Sequence, residues 1–175
     1  MGLNYMNLDE RTRELMLAEI DHDGQALYSS ENLSPVGKTD YPGLLRDAAR
    51  RGSDDELARE IQTRLNSHEK PRTNKSGTTT TPRMRKNAHE MLAEGEFNRF
   101  YIRALCLRAI EDSIPHLIVY RAKQVRNARS ASEAKIGTQV DPNALLQDLR
   151  SSANGLDTAL ELPPGPNSGL SVRLP

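Results

Sequence analysis

Tryptophan is absent from this chain, phenylalanine occurs twice and cysteine once, in 175 residues of which 36% are hydrophobic. One cysteine, Cys106, excludes an intrachain disulfide and any cysteine-based metal site. So few aromatics make a lean core for this length, and the expectation is that part of the chain lies outside a core or is covered in an assembly. No apolar run approaches the ~18 residues of a membrane-spanning helix. The opening MGLNYMNLDERTRE has neither the basic start nor the apolar run of a signal peptide. Met1-Gly2 has the form of a myristoylation start, but Met6 stands where Ser or Thr is required. Synthesis in a cytoplasm is the expectation that follows.

Net charge is also absent, since 24 basic residues balance 24 acidic ones. A zero sum argues against a general nucleic-acid binder, yet the charge is unevenly placed. Asp9 to Glu31 holds seven acids and two bases, Ser67 to Lys86 six bases and one acid, and Arg121 to Arg129 four bases and no acid. This asymmetry suggests complementary subunit contacts or two distinct faces.

The pattern predicts a mainly helical α+β fold: a helical N-terminal block (1–66), a basic Thr-rich linker (67–86), a compact region (87–151) with a long aromatic helix and a short β element, and an extended C-terminal arm (152–175). Asn7 with Glu10 forms a capping-box pattern for a first helix carrying Leu8, Leu15, Met16 and Ile20, ended by Asp23-Gly24. A second helix is predicted from Tyr41-Pro42 to Gly52 and a third, capped by Ser53, from about Asp54 to Asn66. The stretch SHEKPRTNKSGTTTTPR (67–83) has no apolar periodicity and reads as a surface loop or as an extended basic arm across a partner. Asn87 is placed to cap a helix through NAHEMLAEG, and the helical pattern resumes after Gly95 as EFNRFYIRALCLRAIED, where Phe97, Phe100, Tyr101, Ala104, Leu105 and Ile110 recur at threes and fours. Residues 116–125 read as the best strand. A lone strand is not stable, and 170–174 is a candidate partner, in cis or from a neighbour. Asp141-Pro142 starts a last helix with Leu145, Leu146 and Leu149 as its apolar stripe.

Four motifs bear on chemistry and all are weak. NLSPVGKT (32–39) has the end of a phosphate loop, but Asn32 replaces the first glycine and Pro35 removes an amide donor. Asp21, Asp23 and Gly24 are spaced as in a calcium loop, but Ser30 falls where the bidentate glutamate belongs. Residues 44–66 have helix-turn-helix length, yet the second helix opens on Asp54, Asp55 and Glu56, which repel phosphate. His22, His68, His89 and His116 share no metal-ligand spacing, and Cys106 sits inside the aromatic helix as packing. No cofactor, no metal and no catalytic residue is expected.

Two features point to partners. Arg121, Lys123, Arg126 and Arg129 form a basic run, read either as a solvated strand face or as a contact for an acidic protein, such as the N-terminal region of another copy, or for nucleic acid. The terminal LPPGPNSGLSVRLP alternates Leu170, Val172 and Leu174 with polar residues after a proline- and glycine-rich lead. Such an arm spans up to ~45 Å when extended and is expected to dock on its own body or on a neighbour by strand addition.

LAEGEFNRFYIRALCLRAI (92–110), VYRAKQVRNARSASEAKIG (119–137) and the terminal LPPGPNSGLSVRLP (162–175) resemble segments of uncharacterised proteins encoded by tailed bacteriophages and prophages. The resemblance covers about half the chain and brings no catalytic motif. It implies a virion or morphogenesis context, and the expectation in that context is a non-enzymatic virion protein made in the bacterial cytoplasm. Its implied place is the head, as an auxiliary, cement or decoration protein bound to the capsid, or as a head-to-tail connector subunit. Other virion proteins (major capsid protein or portal) and copies of itself are the implied partners, with no membrane. A small DNA-binding regulator is the alternative from another class.

Overall fold

A single helix, α4 (Ala88–Glu111), organises the molecule. The computed structural model describes residues 2–151, 156–162 and 168–175. The two helical stretches expected on either side of Gly95 are one 24-residue helix, buried on nearly every side of its middle turns. Phe97, Phe100, Tyr101, Ala104, Leu105 and Cys106 are all fully enclosed, whereas Ile110 is exposed near the helix end. A helix covered all round must be central, and α1 (Glu10–Asp23), α3 (Asp54–Gln62) and α6 (Pro142–Ser151) pack around it.

α1 is capped by Asp9, whose carboxylate accepts from the Thr12 amide at 3.0 Å. Asn7, the expected cap, is used elsewhere: its amide donates to the Tyr101 hydroxyl and its side-chain oxygen accepts from the Leu174 amide. Met16 and Ile20 form the buried stripe, and Gly24 ends the helix with φ 49°. α2 (Pro35–Arg51) begins six residues earlier than expected. Ser34 caps it, Pro35 fills the first turn, and Pro42 lies inside it on the exposed side. There the carbonyl that loses its amide partner can be hydrated, so the proline does not stop the helix. Arg13 closes the far end, donating to the carbonyls of Ala49 (2.9 Å) and Gly52 (3.0 Å). Ser53 caps α3 as expected, accepting from the Glu56 amide.

Residues 67–86 are an ordered hairpin. β1 (Arg72–Thr73) pairs antiparallel with β2 (Thr79–Thr80), and the His68↔Arg83 bridge and the Glu69 amide bond to the Pro82 carbonyl continue the ladder toward its base. The helical block before the hairpin and the region after it share one hydrophobic core, so the hairpin rises from a common body and does not divide two cores.

β3 (Leu117–Arg121) is the middle strand of a three-stranded antiparallel sheet, between β4 (Gln139–Val140) and β5 (Leu170–Arg173). The arm therefore docks in cis, with Val119 opposite Val172 and Tyr120 opposite Ser171. Its proline-rich lead, including Pro163, Pro164 and Pro166, lies outside the described residues. α5 (Ser130–Lys135) connects β3 to β4, and α7 (Leu156–Ala159) follows α6, so the helix at Asp141-Pro142 is not the last. Leu145, Leu146 and Leu149 of α6 are buried as expected. Among the described residues no helix is long and apolar enough to cross a membrane.

Candidate interaction surface

The C-terminal residues expected to meet a partner belong to the chain's own core. Leu170 is 2% exposed and Val172 fully buried, and Leu174 packs partly against the same cluster. Alternating apolar side chains need an apolar floor, and the shared hydrophobic core supplies it. Polar side chains hold the strand as well. Asn98 Nδ2 of α4 donates to the Leu170 carbonyl at 2.9 Å, Ser171 Oγ donates to Asn98 Oδ1 at 2.6 Å, and Asn7 accepts from the Leu174 amide at 3.0 Å. Side chains thus occupy edge positions that an added strand would need. Gly169 is required at the entrance. Its φ is +70°, and a Cβ there would stand 2.5 Å from the Lys123 carbonyl oxygen.

Three members of the basic run are also engaged in cis. Arg121 donates to the Ser168 carbonyl at 2.5 Å and to Glu133 Oε1 at 2.6 Å. Lys123 pairs with Glu94, and Arg129 lies 3.1 Å from Asp157 Oδ2. The run holds β5 and α7 against the body, and among its four members the exposed Arg126 alone makes no ion pair among the described residues.

The acidic stretch of the first helix is neutralised in the same way. Arg103, fully buried, donates from Nε to Glu19 Oε2 at 2.7 Å and reaches Asp23 with both terminal nitrogens, at 2.8 and 2.7 Å. Arg150 of α6 donates from Nε to Glu19 at 3.0 Å, and Arg99 lies 3.4 Å from both Asp23 and Glu96. Arg103 also stacks on Phe100, 4.9 Å from the ring centre. Burial opposes ionisation of Glu19, but the bond from Arg150 and the charge of Arg103 outweigh it and hold the carboxyl below its ordinary range. Burial of Asp23 is outweighed in the same way by Arg103. Glu96 goes the other way: burial pushes it up to about 7 against the charge of Arg99. Of the remaining acids, Asp9 meets Arg108, Asp21 meets Arg46, and Glu31 meets Lys38 and Lys70. An acidic face for the basic run of another copy is therefore largely consumed within the chain. Sequence alone could not find this cluster, because its members are up to 131 positions apart.

The weak motifs resolve as structure. Residues 32–39 form the lead-in and first turn of α2, where a Cβ on Gly37 would collide with the Arg64 carbonyl oxygen, so the glycine serves close packing and no phosphate cradle exists. Asp21 and Asp23 face arginines, and no group of three or more metal-ligating side chains occurs among the described residues. Asp54, at the head of the supposed recognition helix, is buried and accepts from the Leu3 amide at 2.8 Å, while α3 packs on α4. Cys106 is enclosed, and burial raises its thiol far above the usual range, which suits packing and not nucleophilic chemistry. A cleft of about 200 Å³ between α4, α7 and β5 is lined by Glu94, Asn98, Asp157 and Ser168. Its polar groups are engaged: Glu94 with Lys123, Asn98 with the arm, and Asp157 with Arg129 and Ser168.

The hairpin is the outward element. Residues 70–81 are exposed without interruption. Asn74 shapes the tip: its side-chain oxygen accepts from the amides of Ser76 (3.1 Å) and Thr78 (2.8 Å), and Gly77 turns the chain at φ 83°. At the base Glu69 is buried and clamps Arg72 and, at 2.7 Å, Arg85. Lys75, Arg83 and Lys86 have no acid partner among the described residues. The ladder escaped sequence reading because both of its faces meet water, so no apolar alternation marks it. No protein-family model, curated protein or solved structure matches the chain.

Proposed function

We propose that this protein is a non-catalytic structural component of a tailed-bacteriophage particle, associated with the head and held there through the hairpin at 67–86. The observation that supports the reading is the contrast in exposure. The hairpin stands out from the body with three cations that have no acid partner among the described residues, while residues 170–173 and most of the basic run are built into the fold. The sequence resemblance of 92–110, 119–137 and 162–175 to phage-encoded proteins supplies the particle context. With β5 paired to β3 within the chain, the hairpin is the segment better suited to make a contact between subunits. Within the head, decoration of the capsid lattice and a place at the connector both suit a small body with one projecting ribbon.

Quantitative mass spectrometry of purified particles tests the reading. The chain is expected at a fixed copy number per particle, and replacement of 70–82 by a short Gly-Ser turn is expected to remove it while leaving the protein folded. Particles that lack the wild-type chain, or that retain the hairpin-less chain at full copy number, would overturn it.

A further inference from the structure

The hairpin's composition specifies its partner more narrowly than exposure alone. We infer that the ribbon at 67–86 is a docking surface for the phosphate backbone of duplex DNA. This deepens the proposal that the hairpin is the contact element, and rests on it.

From Lys70 to His89 the chain contains no acid in twenty consecutive residues. The one acid of the hairpin, Glu69, is buried at the base and bound to Arg72 and Arg85, so it presents little negative charge to a ligand. Lys75 stands at the tip, Arg83 on the returning side and Lys86 at the foot, none with an acid partner among the described residues. Thr78, Thr79, Thr80 and Thr81 add exposed hydroxyls along the returning side. Cations, hydroxyls and backbone amides are the groups that bind phosphate oxygens.

The second basic element lies close by. A cleft beside the first turns of α4 is lined by Asn87, Glu90, Met91 and Glu94 on one side and by Lys123 and Val125 on the other. Val125, the residue before Arg126, thus lines the same cleft as Asn87, the residue after Lys86. Glu94 is paired with Lys123, which leaves Glu90 as the opposing charge in that cleft.

An acidic protein partner fits less well. Protein interfaces centre on aromatic or aliphatic anchors that fill pockets. The exposed part of this hairpin has no aromatic, Leu, Ile or Val, and its one Met, at 84, is half-buried. Single-stranded nucleic acid is disfavoured by the same lack, since its binding sites stack bases on aromatic rings. A two-stranded ribbon fits the major groove of B-form DNA, whereas the deep, narrow groove of duplex RNA excludes it. With no pairing of Arg, Asn or Gln fixed toward a base edge, the contact is to backbone and carries little sequence preference. A duplex contact favours a place in the head where DNA passes, such as the connector, over the outer lattice.

The test is fluorescence anisotropy of the full-length chain with a labelled 25-base-pair duplex across 50–200 mM salt. The comparison variant is Lys75→Gln/Arg83→Gln/Lys86→Gln, with Lys135→Gln as a control. Wild type and control are expected to bind two unrelated sequences equally. The triple variant is expected to bind at least about tenfold more weakly at 0.1 M salt, with the log–log salt slope reduced by roughly 2–3. Circular dichroism of the triple variant confirms that it is folded, since all three side chains are exposed. Absence of wild-type binding at 50 mM salt, an unchanged slope in the triple variant, or displacement of DNA by poly-glutamate at equal charge concentration would each overturn the inference. If DNA binding fails while hairpin-dependent incorporation into particles persists, the DNA assignment falls and the structural reading stands.

Discussion

The C-terminal strand and the 67–86 hairpin both look from sequence like segments without a home, and they end in opposite environments. Both carry proline and glycine, and both form antiparallel ladders. The difference is in what alternates. Along the strand, Leu170 and Val172 alternate with polar residues, and the body offers α4 and the free edge of β3 to receive them. Burial of two such side chains, with fixed hydrogen bonds from Asn98 and Asn7, offsets the ordering of a few residues. Along the hairpin, threonines, cations and turn residues follow one another with no apolar alternation, so nothing drives either face inward. Local order there comes from Asn74 at the tip and Glu69 at the base. An extended segment is thus drawn into its own fold when it carries apolar side chains that the body can receive.

The largest effect that sharpens this contrast is truncation at Glu161. Loss of Leu170 and Val172 removes about 1.5–3 kcal/mol of burial each. Loss of the Leu170 and Ser171 partners leaves Asn98 unpaired in the core, at about 1–3 kcal/mol. Together these are comparable to the whole stability of a domain this size, about 5–15 kcal/mol. The truncated chain is expected to lose its cooperative melting transition; an unchanged transition in calorimetry would show that the arm is an appendage after all.

Next is the buried ion cluster. Arg103→Met leaves Glu19 and Asp23 partly uncompensated in the interior and is expected to cost about 3–5 kcal/mol, read as a lowered urea midpoint. A loss below about 1 kcal/mol, the range of exposed pairs, would show that water reaches the cluster.

Smaller still is the titration of Glu96. Its carboxyl is raised from 4.5 to about 7 in the folded state, first by burial. The folded state therefore holds this proton more tightly than the unfolded chain. The stabilisation is fully present below about pH 4.5 and is lost as pH rises through about 7. Glu19 and Asp23, held low, act oppositely and lose their contribution only in more acid solution. Glu96→Gln is expected to flatten the fall in melting temperature between pH 5 and 8 and to be more stable than wild type at pH 8. A parallel pH profile for the two proteins would contradict this assignment.

Much of the fold was legible because helices announce themselves locally. Ser53 with Glu56, Gly52, Asp141-Pro142 and the aromatic periodicity of 97–105 each act within one or two turns, and each sits where the pattern puts it. The pairing of 170–173 with the 117–121 strand was legible for the same reason, since alternation marks a strand wherever its partner lies. The start of α2 was not, because Pro42 is tolerated on an exposed face that sequence does not reveal. Nor was Asn7, whose cap-like spacing is overridden by long-range bonds to Tyr101 and Leu174. The candidate surface was legible only as charge: its cations were evident, but which of them are neutralised depends on Glu69, Glu94, Glu133 and Asp157 coming within reach in the fold.

Amide hydrogen exchange of the isolated full-length protein tests the contrast most directly. Replacing 70–82 removes no residue of the hydrophobic core, so the body is expected to stay folded and the hairpin's amides should report only its own local opening. The account predicts that amides of 170–173 exchange as slowly as those in the middle of α4, while those of 72–80 exchange rapidly and slow when duplex DNA is added. Rapid exchange at 170–173 with slow exchange throughout 72–80 in the free protein would contradict it.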